Sequence, residues 1–75
     1  MALGDMATKQ QRTERFEQAL RESGVRITRQ RAAMLRVLAE ADDHPDAVEL
    51  HRRSEVEVPG ISLSTVYRTL SALEE

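Results

Sequence analysis

None of the 75 residues is a cysteine and only Phe16 and Tyr67 are aromatic, so any core must be held by small aliphatic side chains alone. Of the 30 hydrophobic residues nine are alanine; the rest are mostly Leu and Val, enough for one small core. A domain of this size buries only roughly 60% of the surface its unfolded chain exposes, and without cysteine no disulfide or thiolate zinc site makes up the deficit. A cysteine nucleophile is excluded for the same reason. No apolar stretch approaches the ~18 residues that span a bilayer, and the N-terminus lacks a signal-peptide core. The expectation is a cytoplasmic chain with no membrane partner. Two histidines, no glycine-rich loop and no second domain to form a cleft argue against an enzyme or a small-molecule substrate.

The net charge of −2 hides a division. Residues 1–38 hold eight Lys/Arg against four acids, a balance of +4, while residues 39–75 hold Arg52, Arg53 and Arg68 against nine acids, a balance of −6. Asymmetry of this kind accompanies a charged partner, or two solvated faces that attract each other.

Four helical segments follow from the spacing of apolar residues. Met1 to Ala7 has no periodicity and reads as a flexible tail. Between Thr8 and Ser23, Phe16, Ala19 and Leu20 share one face, and Gly24 suits the left-handed position that ends a helix. Val25-Arg26-Ile27 is a connector, Thr28 an N-cap, and a second helix runs from Arg29 to about Glu40 with Met34, Leu35, Leu38 and Ala41 on one side. Asp46 and Glu49 have the spacing of a capping box for a third helix, from Ala47 to about Ser54, that buries Ala47 and Leu50. His51 reads as a surface residue of that helix. Glu55 to Gly60 is loop-like, with Pro59-Gly60 as turn punctuation. Ser62 caps the last helix, where Leu63, Val66, Leu70 and Leu73 form a stripe facing the core.

On a wheel of about 100° per residue, Arg68 lies opposite that stripe, flanked by Ser64, Thr65, Ser71 and Ala72, with Tyr67 on the shoulder. A short helix, a tight turn and a helix with this face is the arrangement of a helix-turn-helix reader. Small side chains permit close approach to a duplex, hydroxyls bind phosphate, Arg takes phosphate or guanine, and an aromatic edge meets a thymine methyl. An ordinary solvated surface with a half-buried Tyr has the same spacing.

The segment ISLSTVYRTL at Ile61–Leu70 resembles the recognition helix of the ferric uptake regulator family, and GVRITRQR at Gly24–Arg31 and DHPD at Asp43–Asp46 resemble two further motifs of that family in the same order. The resemblance implies an all-α region that is the helical part of a winged helix-turn-helix DNA-binding domain, spanning residues 8–75 and stopping before the wing strands, with the dimerisation domain absent. It also implies a metal-dependent transcriptional repressor of metal-uptake genes, iron above all, acting as a homodimer on an A·T-rich palindromic double-stranded DNA operator. By that resemblance Tyr67 and Arg68 read the major groove, Arg26 enters the minor groove, and Ser62, Ser64, Thr65 and Thr69 contact phosphate. Arg31 matches a family arginine that either touches DNA or orients the helices. His44 matches the one ligand this domain gives to the regulatory metal, Fe2+ or Mn2+ with Zn2+ as a further alternative. One imidazole holds no metal, so no cofactor is expected in these residues by themselves; on its own chemistry His44 is an exposed residue in a turn. The competing expectation is a helical protein-interaction or self-associating module that binds neither DNA nor metal.

Overall fold

The structure, a computed structural model, describes residues 8–74, and the expected tail at 1–7 lies outside them. Among the described residues there are four helices and no strand: α1 (Lys9–Glu22), α2 (Arg29–Glu40), α3 (Ala47–Glu57) and α4 (Leu63–Glu74). This is the all-helical arrangement expected of the helical part of such a domain. No helix among the described residues is long and apolar enough to cross a membrane.

Local chemistry fixes each boundary. Thr8 accepts the Gln11 N–H at 3.0 Å while the Gln11 side chain accepts the Thr8 N–H at 2.8 Å, so two otherwise unpaired donors are satisfied reciprocally. At the other end of α1, Gly24 adopts φ 84°. Its N–H reaches the Arg21 carbonyl and that of Val25 the Leu20 carbonyl, the paired bonds of a Schellman ending. Thr28 caps α2 through the Arg31 N–H at 3.1 Å. Asp46 caps α3 through the Glu49 N–H at 2.8 Å. The expected return bond from Glu49 is not made, because Arg52 and Arg53 both hold the Glu49 carboxylate.

The third helix is longer than its sequence suggests, running to Glu57 rather than to Ser54. Glu55 and Glu57 are polar but good helix formers, and nothing breaks the ladder before Pro59. The chain then reverses over Val58-Pro59-Gly60-Ile61, closed by the Ile61 N–H on the Val58 carbonyl at 3.2 Å. Pro59 supplies the fixed φ of the first corner, and Gly60, at φ 89°, supplies the left-handed second corner of a type II turn.

Met34, Ala47, Leu50, Ile61 and Val66 are buried together, with Val37, Leu38, Val58 and Leu70 packed around them. Leu20, Ala33, Leu35 and Ala39 are buried as well. α2 and α4 lie at the centre, each touching both α1 and α3, whereas α1 and α3 do not meet. Full burial of a Leu or Met side chain stabilises by about 1.5–3 kcal/mol, so a few such residues carry the fold. Two positions depart from the expected stripe of α4: Leu63, at its first turn, is 38% exposed, and Thr69 is completely buried. On the wheel each lies about 60° from Val66, on opposite sides, so the buried face is rotated towards Thr69. Ser54 is also completely buried, and its hydroxyl has no hydrogen-bond partner among the described residues.

An ionic cluster ties the turn before α3 to that helix. Arg53 grips Asp43 with two parallel bonds of 3.1 and 2.9 Å and reaches Glu49 at 2.8 Å through Nε. Arg52 pairs with the same carboxylate. The guanidinium groups of Arg52 and Arg53 hold the Glu49 carboxyl down to about 2, and Arg53 lowers that of Asp43. Both pKa values are depressed in the folded chain. The stability these pairs contribute is therefore whole above about pH 4.5 and is lost as the pH falls towards about 2. Thermal melts of the parent and of Glu49→Gln should converge on acidification through that window, and the difference at neutral pH should shrink as salt is added. Equal melting temperatures at neutral pH and low salt would contradict the cluster's role. Gly60→Ala tests the turn. A Cβ there meets no neighbour within 4 Å, so the expected loss of about 1–2 kcal/mol in chemical denaturation comes from the backbone alone.

Candidate nucleic-acid interface

α4 is presented by two anchors. Val66 is driven into the core, and the polar cap at its start fixes the first turn. Ser62 accepts the Thr65 N–H at 3.1 Å, and the two hydroxyls lie 2.8 Å apart. One hydroxyl hydrogen closes that contact, which leaves the pair one hydrogen for an outside acceptor. With Val66 inward, Ser64, Tyr67, Arg68 and Ser71 are turned to solvent. Tyr67 is 52% exposed, its ring half-supported by the protein and half available. No acid falls on this helix before Glu74.

Electrostatically, the face is cleaner than the charge of its half of the chain suggests. Of the three cations between residues 39 and 75, Arg52 and Arg53 are consumed by Glu49 and Asp43, whereas Arg68 makes no ion pair among the described residues. Arg26 is exposed on the connector between α1 and α2 and likewise makes no ion pair among the described residues. A guanidinium without an internal acid keeps its whole hydrogen-bonding fork for phosphate or a base edge.

One expected contact is corrected. Thr69, expected to reach phosphate, has its hydroxyl fully occupied inside the protein: it donates to the Thr65 carbonyl at 2.7 Å and accepts from Arg31 Nε at 3.2 Å. Arg31 also donates to the Arg26 carbonyl at 3.3 Å, so the orienting alternative for this arginine is the one with bonds behind it. The burial of Thr69 was missed because α4 was read alone; the position of Thr69 about 60° from Val66 was the available signal.

His51 was missed as well. It is half-buried rather than a plain surface residue, and its Nε2 lies 2.7 Å from the Ile61 carbonyl. A carbonyl only accepts, so Nε2 carries the hydrogen, and the ring clamps α3 to the residue that leads into α4. Its spacing of i+4 from buried Ala47 puts it on the inner side of α3.

His44 is exposed in the turn before α3. It borders a shallow cavity also lined by Arg12, Phe16 and Asp43. Among the described residues no three His, Cys, Asp or Glu side chains come together as a metal cage. Asp43 is already held by Arg53, and the Arg12 cation lines the same cavity, so these residues do not fit a metal by themselves.

The model of the ferric uptake regulator family matches residues 22–75, from the end of α1 onwards. A ferric uptake regulation protein of Brucella abortus biovar 1 (strain 9-941) is 58% identical over 60 residues, covering 80% of this chain and 43% of that protein. A protein of the same name from Rhizobium leguminosarum bv. viciae is 46% identical over 60 residues, covering 80% of this chain and 42% of its own length. The peroxide-responsive repressor PerR of Staphylococcus aureus (strain USA300) is 40% identical over 57 residues, covering 76% of this chain and 38% of its own. The chain thus spans about two-fifths of the length of the relatives it matches. A match over most of the chain, carrying the connector, the turn before α3 and the whole of α4, means that this chain belongs to the ferric uptake regulator family, a family of transcription regulators and not of enzymes.

Proposed function

We propose that this chain reads double-stranded DNA with the outer face of α4. One observation carries the reading above the rest: the helix turns Tyr67 and Arg68 outward on a surface of small hydroxyl side chains with no acid of its own before Glu74, while the neighbouring cations Arg52 and Arg53 are locked to carboxylates. In the major groove Tyr67 offers a ring edge to thymine methyls, and Arg68 takes a phosphate or a guanine edge. Ser64 and the Ser62–Thr65 pair supply hydroxyls to phosphate, which fix register rather than sequence. Arg26 enters the adjacent minor groove, where narrow A·T-rich stretches concentrate negative potential.

The relatives' names, a ferric uptake regulation protein and a peroxide-responsive repressor, extend this reading to metal-responsive repression. A homodimer on an A·T-rich palindrome suits it, since two-fold protein symmetry matches a two-fold operator. Iron-uptake genes are the targets these names favour. His44 then serves as one donor to a regulatory Fe2+ or Mn2+, or to Zn2+, whose other ligands come from outside the described residues.

A second reading rests on α3, where Val56 is 81% and Val48 58% exposed. These are two separate side chains rather than a continuous patch, and such exposure is common on folded surfaces. A concentration-dependent mass in sedimentation, abolished by Val56→Ser, is what protein association through this face requires.

The DNA reading is tested with the duplex recovered from a randomised library by selection on this chain. Arg26→Ala and Tyr67→Ala should each weaken binding to that duplex, and Tyr67→Ala should relax discrimination at thymine positions by about 1–3 kcal/mol. Unchanged affinity in both variants would contradict the assignment.

A further inference from the structure

Arg31 spends two of its five guanidinium N–H donors inside the protein. Its Nε donates to the Thr69 hydroxyl at 3.2 Å, and its NH1 donates to the Arg26 carbonyl at 3.3 Å. Thr69 in turn donates to the Thr65 carbonyl at 2.7 Å and has no exposed surface. One planar guanidinium therefore binds the connector carrying Arg26 and, through a buried hydroxyl, the middle of α4 carrying Tyr67 and Arg68. The connector has no other side-chain bond to α4 among the described residues. Its backbone between the Schellman ending of α1 and the Thr28 cap has no regular hydrogen-bonding ladder.

We propose that Arg31 is a positioning residue that fixes the spacing between Arg26 and the outer face of α4. It does so through Thr69 and without touching DNA. The proposal rests on the DNA reading above. A protein that inserts one side chain in the minor groove and another in the major groove needs the two held at a fixed separation, because ordering them on binding costs affinity. A guanidinium is suited to holding them, since its fork fixes two acceptors at once, which the point charge of a lysine cannot reproduce.

Thr69→Val decides the matter, because Thr69 has no surface with which to reach DNA and the change replaces only the hydroxyl, with a methyl of similar size. With the selected duplex, Thr69→Val and Arg31→Lys should each weaken binding by roughly tenfold. The double variant should be little worse than either single one, since both break the same tie. Thr69→Ser, which keeps the hydroxyl, should bind like the parent. The dependence of log affinity on log salt should keep its slope in all of them. An arginine that touches phosphate would instead lower the slope by about 0.9 on replacement by an uncharged residue, read with Arg31→Gln. Amide exchange in the unbound chain should quicken across residues 25–28 in Thr69→Val. Parent-like affinity and exchange in Thr69→Val, or a lowered salt slope in Arg31→Gln, would overturn the proposal. Should Thr69→Val fail to fold, Arg31→Lys with its exchange profile gives the same decision. Recovery of no duplex by the parent chain would instead defeat the DNA reading and the tie's purpose with it, an outcome distinct from any of these.

Discussion

Burial of Val66 among Met34, Leu50 and Ile61 is the contact from which the rest of the structure takes its sense. A helix with one face pinned in this way has its opposite face chosen for it, and here that face carries Tyr67, Arg68 and small hydroxyl side chains. The core is made of aliphatic groups with no aromatic plate and no covalent staple, so it fixes the rotation of α4 only through shape. Hydrophobic contact is strong but not directional. Polar ties complete the definition: Ser62 at the first turn, His51 on the Ile61 carbonyl and Arg31 on Thr69 hold the axis of the helix and its distance from the connector.

The division of charge along the chain takes a different meaning once the pairs are known. The acidic half neutralises its own cations, since Asp43 and Glu49 are held by Arg53 and Arg52, and this makes Arg68 conspicuous rather than outvoted. The remaining acids of that half lie mostly on α2, α3 and the turn between them, and of these Asp46, with Glu74 of α4, borders a cavity that Tyr67 and Ser71 also line. Net charge therefore says little about an encounter with a polyanion, whereas the distribution of unpaired guanidinium groups says more.

Much of this was legible in the residues because the signals are local. Thr28, Asp46 and Ser62 cap the helices they precede, Gly24 ends α1, and Pro59-Gly60 turns the chain, all from side-chain chemistry within a few positions. The outward face of α4 was legible for the same reason, since the wheel separates Val66 from Arg68 whatever surrounds them. What remained hidden involves partners distant in sequence. The Arg31–Thr69 bond joins residues 38 apart, Arg53–Asp43 and His51–Ile61 each join residues ten apart, and no periodicity reports them. Glu49 illustrates the competition: its spacing from Asp46 suits a capping box, but two arginines one turn on offer its carboxylate charge-assisted bonds, which are the stronger kind.

If the outer face of α4 is the surface that meets DNA, nuclear magnetic resonance titration of the labelled chain with its selected duplex will show it at residue resolution. The largest amide shifts should fall on Ser64, Tyr67, Arg68, Ser71 and the Arg26 connector, with the outer side of α3 around Val48 and Val56 unmoved. Shifts concentrated on α3, with α4 silent, would contradict this placement of the DNA.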